Sequence, residues 1–306
     1  MQTYRIKLSL SSGFITPWQS DTIFGHLCWA AERHGDFDNF TGASGLINLY
    51  RMGKPPLIVS DAFPAGFLPA PTYLKVFFDL KSGDKLDIEK YSFLKMVKNT
   101  EYITIEQFRS FQRGEIFDPG EQAGQFVSSV TLHNQINRLT GTTGDEGSLF
   151  ELEERFAKNH RLDIYVKIEE EFEDDVKRLF ELFAAGGFGK KKSTGKGAFK
   201  IEHFERFEKL DTVKTANGFV SLSHFVPSQS DPVDGVYKTI IKYGKLGEEK
   251  ALCGNPFKKP LIMFKPGAVF KTEVMKPFFG RLVEKIAYAD DSVVQYGYAF
   301  PVPVIC

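Results

Sequence analysis

The sequence is short of cysteine, of net charge and of long apolar runs. Only three cysteines occur, Cys28, Cys253 and Cys306, and no two share the CxxC spacing of a metal site or redox pair. An odd, scattered set fits buried or terminal thiols in a reducing compartment. Lys plus Arg and Asp plus Glu are equal at 39 each. Bulk charge therefore gives no sign of a polyanionic partner, and a nucleic-acid site must come from local clustering. No apolar run approaches the ~18 residues of a membrane span. Residues 1–10 alternate like a strand and do not read as a signal peptide. The expectation is a cytoplasmic protein without membrane contact. Catalytic spacing is missing as well, with neither HExxH nor GxSxG. The acidic cluster Glu169, Glu170, Glu171, Glu173, Asp174 and Asp175 reads as solvated charge favouring a helix N-terminus rather than as a metal site. No catalytic residue, metal ligand or cofactor is expected.

What is present is a folded chain of 306 residues, 42% hydrophobic and 25% charged, with thirty phenylalanines to fill a core. At roughly 100–200 residues per domain, that length allows two domains. Tyr4, Ile6, Leu8 and Leu10 alternate with polar residues and predict a strand over 3–10. Ser20 stands where a helix N-cap belongs, with Asp21 in the first turn. Ile23, Phe24, Leu27, Cys28 and Ala31 follow at helical spacing, and Gly35 is the stop. Strands are predicted at 57–61, 162–168 and 198–204, a hairpin around the TGTTGDEG turn within 128–150, and a helix over 173–185. Residues 79–126, polar and punctuated by Phe93, Phe108 and Phe111, read as an insertion that projects. The order to about residue 205 is the βαββαβ layout of a ferredoxin-like, RRM-like domain. After a linker, residues 216–306 read as a second, strand-rich, ferredoxin-like domain. Its strands are expected near 219–226, 236–243, 261–264, 268–274 and 293–302, with one short helix near 278–287. The fold class is α+β.

The densest chemistry lies at 186–197, Gly186-Gly187-Phe188-Gly189-Lys190-Lys191-Lys192-Ser193-Thr194-Gly195-Lys196-Gly197. It is not a P-loop. Gly189 and Gly195 enclose five residues instead of four, Gly197 replaces the magnesium-binding hydroxyl, and the loop follows a helix and precedes a strand. Nor is it a dinucleotide fingerprint, since Lys192 stands where glycine is needed. What remains is a pair of Gly-x-Gly steps flanking lysines and hydroxyls. Glycines let backbone approach a ligand, exposed N–H groups form a nest for phosphate oxygens, and Lys190, Lys191, Lys192 and Lys196 add charge. Ser193 and Thr194 add donors. The bland alternative is a solvated basic turn.

This segment resembles the glycine-rich loop of the RAMP superfamily, the repeat-associated proteins of CRISPR systems, and sits at the same helix-to-strand position. Other stretches agree in order: Ser20–Ala30 (SDTIFGHLCWA), Val59–Pro64 (VSDAFP) with Leu68–Pro71 (LPAP), His133–Gly141 (HNQINRLTG) with Glu146–Phe150 (EGSLF), and Gln295–Pro301 (QYGYAFP). Together they resemble the guide-binding fourth-subunit family of type III-A (Csm) effector complexes across nearly the whole chain. Residues 79–126 have no match.

The resemblance implies a non-catalytic subunit that binds the 5′ handle of the guide RNA. It also implies that the subunit caps the repeated backbone subunit and contacts the large signalling and nuclease subunit. A projecting thumb would wedge between guide and target, so that target RNA is met only indirectly, and by analogy it would come from 79–126. Ser20 at the start of the first helix and His26 one turn on are candidate RNA contacts, against a cap and a packed ring. His133, Asn134 and Arg138 can stack on or hydrogen-bond exposed bases, against a turn network. Tyr296 and Tyr298 read as core or interface. Two rivals stand beside this reading. One is a metal-independent RAMP endoribonuclease that processes repeat RNA and enlists His133 or His203. The other is a purely structural assembly subunit.

Overall fold

The computed structural model describes residues 1–72, 95, 99–115, 120, 125–134, 136–143, 149–252 and 254–305. Cys253, Cys306 and much of the segment 79–126 lie outside the described residues. The chain runs β1 (Gln2–Leu10), α1 (Ser20–His34), α2 (Gly42–Arg51), β2 (Leu57–Pro64), β3 (Phe67–Pro69), β4 (Tyr102–Thr104), α3 (Ile105–Gln112), β5 (Phe126–Asn134), β6 (Leu149–Ala157), β7 (Arg161–Ile168), α4 (Glu173–Gly186) and β8 (Phe199–Arg206). Short strands follow: β9 (Gly218–Ser221), β10 (Gly235–Val236), β11 (Thr239–Lys242), β12 (Leu261–Phe264), β13 (Val269–Lys271), β14 (Phe279–Gly280), β15 (Tyr298–Ala299) and β16 (Pro301–Val304).

The first sheet is antiparallel with order β2-β7-β1-β8, the ferredoxin-like arrangement. The alternation in β1 buries Tyr4, Ile6, Leu8 and Leu10, and β7 adds Leu162, Ile164, Val166 and Ile168. They share one core with Ile23, Phe24, Leu27 and Ala31 of α1 and with Val176, Leu179, Phe180 and Phe183 of α4. Each such side chain contributes roughly 1.5–3 kcal/mol when fully buried. The second sheet, β10-β13-β9-β16, repeats that strand order, but among the described residues no α-helix accompanies it. The helix expected near 278–287 does not form. Its backbone groups are spent on pairing instead: Val283 and Gln295 exchange both N–H···O bonds (2.9 Å each), and Arg281 donates to Gly297 (3.1 Å). The same core reaches Val220, Val302 and Val304 of the second sheet.

The insertion expected at 79–126 is in part structural. Its described residues 102–112 form β4, paired with β3, and α3. Thr104 and Gln107 make a capping box at the start of α3. Ile103 and Phe108 are fully buried, and Gln112 donates to the carbonyls of Leu210 (2.9 Å) and Pro303 (3.0 Å). Phe108 and Phe111, spaced i and i+3, are the buried side of a short amphipathic helix and not punctuation in a loop. What projects among the described residues is the β5–β6 hairpin, longer than expected, with Val130, Leu132 and Leu149 exposed.

A β-bulge joins the two halves. The β2–β7 register slips between Val59 and Ala62, and Ser60 Oγ accepts the Tyr165 N–H (2.9 Å). The extra residue re-aims Asp61. Its N–H donates to Leu222 O (3.0 Å), its Oδ1 accepts the N–H groups of Ser20 (2.9 Å) and His224 (3.2 Å), and its Oδ2 meets His224 Nδ1 (2.7 Å). Ser20 is therefore not the N-cap of α1. Gln19 is, and Ser20 is fully buried in the first turn. In the acidic run 169–175 one residue departs from solvated charge: buried Asp175 accepts from the N–H groups of Asp38 (2.9 Å) and Asn39 (3.1 Å), while Glu173 and Asp174 stand with it in the first turn of α4.

Lys167 of β7 is buried between the sheets, donating to Pro301 O (2.7 Å) with its Nζ over the Phe300 ring. Burial pushes its pKa down to about 8 from an ordinary 10.5. The folded value lies below the unfolded one, so between pH 8 and 10.5 the unfolded chain holds more protons and stability rises with pH. Denaturant unfolding should show a gain of about 1 kcal/mol between pH 7 and 9 that Lys167→Met abolishes. Phe108→Ala should cost about 3–5 kcal/mol in the same assay. A removable projection would lose almost nothing.

Candidate nucleic-acid interface

The glycine loop leaves the C-terminus of α4 and returns into β8. Phe188 turns inward, is buried, and stacks on Trp18 (centroids 3.8 Å, 16°). Its N–H donates to Gly197 O (3.0 Å), which closes the loop at its base, and the Gly197 N–H donates to Gly13 O (2.8 Å). A Cβ on Gly197 would lie 2.0 Å from Phe188 O, and one on Gly189 would lie 2.6 Å from Thr16 Cβ. These two glycines are fixed by sterics, whereas Gly195 faces open space and Gly187 meets only ordinary contacts.

Two side chains hold the ascending limb. The Gly189 N–H donates to Nε2 of His26 (3.0 Å), and the Lys190 N–H donates to Thr16 Oγ1 (3.0 Å). The His26 ring also stacks on Phe183 (5.5 Å, 24°). Burial, and next the Lys192 ammonium, push its pKa down to about 4, so the ring is a neutral acceptor near pH 7. In this structure His26 positions the loop, with its ring packed on Phe183 and its Nε2 on the Gly189 amide. Nothing in its helical spacing signalled a contact with the loop, and Thr16 carried no signal at all.

At the loop's crest Lys191 adopts the left-handed conformation (φ 62°) and a single 3₁₀ turn, 192–194, follows. Thr194, Gly195 and Lys196 donate their N–H groups to the carbonyls of Lys191 and Lys192 (3.0–3.2 Å), and Thr194 Oγ1 donates to Lys191 O (2.9 Å). The amides of Lys191, Lys192 and Ser193 have no partner among the described residues. Three successive N–H groups without a partner, the first on left-handed Lys191 itself, have the form of a nest that can accept an anion.

The four loop lysines are not equivalent. Lys192 pairs with Glu248, which also takes Arg33, and Lys196 pairs with buried Glu154 of β6 (2.5 Å). Lys190 and Lys191 make no ion pair among the described residues. The Lys191 ammonium lies 5.9 Å from the centre of the Phe150 ring, and Phe150 stacks on His133 (5.6 Å, 17°). The hairpin thus carries an aromatic step from the nest outwards, His133 and Phe150 being cross-strand partners. Asn134 and Arg138 are exposed farther along the hairpin. Ser20 is outside this surface. Asp21 at the α1 N-terminus is covered by Lys242 and Gln295, and the second half of the chain closes that helix end. Tyr296 is core and accepts the Val59 N–H (3.0 Å). Among the described residues no group of three His, Cys, Asp or Glu side chains could hold a metal ion, and no helix is long and apolar enough to cross a membrane.

This architecture has solved counterparts. A chain of the Csm1-Csm4 cassette in complex with pppApA superposes with a TM-score of 0.67 at 15% identity, over 99% of this chain and 98% of the other. A chain of the Csm3-Csm4 subcomplex in the type III-A CRISPR-Cas interference complex gives 0.62 at 13%, over 100% of both. The cassette in complex with cA3 gives 0.63 at 17%, over 99% and 98%. The chain has the fold of a type III-A Csm subunit. Csm4 is the component common to these complexes. No family model and no curated protein matches the sequence.

Because the folded pKa of His26 lies below its ordinary 6.5, the stability that the neutral ring contributes is complete above pH 6.5 and is lost as pH falls towards 4, where the folded ring itself protonates. His26→Phe keeps a ring and removes the acceptor. The Gly189 amide should then exchange faster with solvent at pH 7, and the wild-type loss of stability between pH 6.5 and 4 should shrink.

Proposed function

We propose that this chain is the Csm4-type subunit of a type III-A effector complex, holding the 5′ handle of the guide RNA without cutting it. The observation that carries the reading is the nest at Lys191–Ser193, three unpartnered amides beside two unpaired lysines, with the Phe150–His133 step next to it. Single-stranded RNA offers that surface alternating phosphates and unstacked bases. Phosphates fit the amides and ammonium groups, and a base can continue the aromatic step. Asn134 and Arg138 are available to base edges further out. The matched cassettes contain Csm1 and the matched subcomplex contains Csm3. By that likeness the partners are the large signalling and nuclease subunit and the repeated backbone subunit, with target RNA reached indirectly, in the cytoplasm.

Phosphate contacts on a single strand give a slope in log K against log salt of about −0.7 each. Lys190→Ala with Lys191→Ala should flatten the slope by up to about 1.4 and weaken all sequences alike, since phosphate contacts carry no base information. Filter binding of repeat RNA across a salt series reads both. An unchanged slope would leave the loop a solvated turn. The absence of cleavage is part of the same proposal. Labelled repeat RNA incubated with the protein should stay intact with or without divalent metal. Products that disappear in His133→Ala would make the chain an RNA-processing enzyme.

A further inference from the structure

Glu248 belongs to a segment that crosses from the second half of the chain to the glycine loop. Its carboxylate bridges the Arg33 guanidinium at the end of α1 and the Lys192 ammonium on the loop. Both cations border an open cleft that is also lined by His26, Trp29, His34 and Gly187, beside the unpartnered Lys191–Ser193 amides. Two cations therefore converge on one anion, and the anion comes from elsewhere in the chain.

The segment that supplies it is weakly fastened. Glu248 itself has a left-handed backbone (φ 54°), uncommon for a residue with a side chain. The 3₁₀ turn 248–252 has no buried residue, and Leu252 is 88% exposed. Its root is fixed by buried Leu246, whose N–H donates to Pro256 O (2.7 Å), and beyond it the ion pairs are Glu248 on Arg33 and Lys192 and Lys250 on Asp290 (2.8 Å), with Lys250 also reaching Ser292 Oγ (3.2 Å). Glu248 is half-buried between its two cations, whereas the Lys250–Asp290 pair is more open to solvent. A segment fastened mainly by charge can yield to an anion that competes for the same cations.

We propose that Arg33 and Lys192 form a phosphodiester site that Glu248 fills in the free chain, and that single-stranded RNA takes the site by displacing the Glu248 strap. This rests on the RNA-binding reading above and adds to it a residue, Arg33, and a movement. A phosphodiester carries the same single negative charge as the carboxylate, so the exchange leaves the local charge balance unchanged. The phosphate also meets the free amides, which the carboxylate does not engage. That asymmetry favours RNA.

The test uses the full chain and oligouridylate, because phosphate contacts are independent of sequence. Removing the competing charge with Glu248→Gln should tighten binding about threefold to tenfold. Arg33→Ala should weaken it. In the wild-type protein, hydrogen exchange of the 247–252 amides should speed up on RNA binding, opposite to the protection an ordinary interface confers. This readout needs no variant. If RNA binds with the Lys190- and Lys191-dependent slope but 247–252 stays protected and Glu248→Gln does not tighten binding, Glu248 is a fixed staple and the displacement is wrong. If wild-type protein does not bind oligouridylate at all, both readings fall.

Discussion

The candidate interface depends on one neutral imidazole. Glycine-rich loops are entropically costly to hold in one shape, and this one is held where the Gly189 N–H reaches His26 Nε2. A protonated ring would present a donor to a donor and add a further positive charge beside a loop already carrying Lys190, Lys191 and Lys192. Burial against Phe183 and Phe188 keeps the ring neutral. The Phe188–Trp18 stack beneath and the Thr16 hydroxyl alongside then fix the turn. With these in place, the three crest amides are left without a partner among the described residues.

Charge is organised around that loop by pairing. The chain is neutral, yet its most basic segment survives folding because two carboxylates are brought to it, Glu154 from the hairpin and Glu248 from the second half. They leave the two crest lysines uncommitted. The halves themselves are locked elsewhere, through the β2 bulge that turns Asp61 onto His224 and Ser20.

Local patterns made much of this legible. The strand β1, the helix α1 with its Gly35 stop, the hairpin, α4 and β8 follow from alternation, helical spacing and turn residues. The glycine loop's place between α4 and β8 followed from the same order. The errors share a physical origin in contacts between residues far apart in sequence. Ser20 has the chemistry of a cap, but Asp61 takes its N–H, and the bulge that brings Asp61 there has no local signal. Phe108 and Phe111 looked like punctuation because the surfaces that bury them lie elsewhere in the chain. The segment 278–287 carries helix-compatible residues, but its backbone groups pair with 295–297. The partners of Lys192 and Lys196 could not be read from spacing, and the same holds for the acceptor role of His26.

The first sheet also fixes an order of events during synthesis. Its N-terminal strand, β1, is central, flanked by β7 and β8. Both neighbours are made only after about 150 further residues have left the ribosome. At 5–20 residues per second, β1 waits roughly 8–30 s without either flanking strand. Its apolar alternation makes it a competent edge for wrong pairing during that interval. Such distant pairing also slows closure once the partners exist, because the intervening loop must be ordered first. Nascent chains of this protein should therefore depend on holding chaperones more than a chain whose first strand pairs with the second.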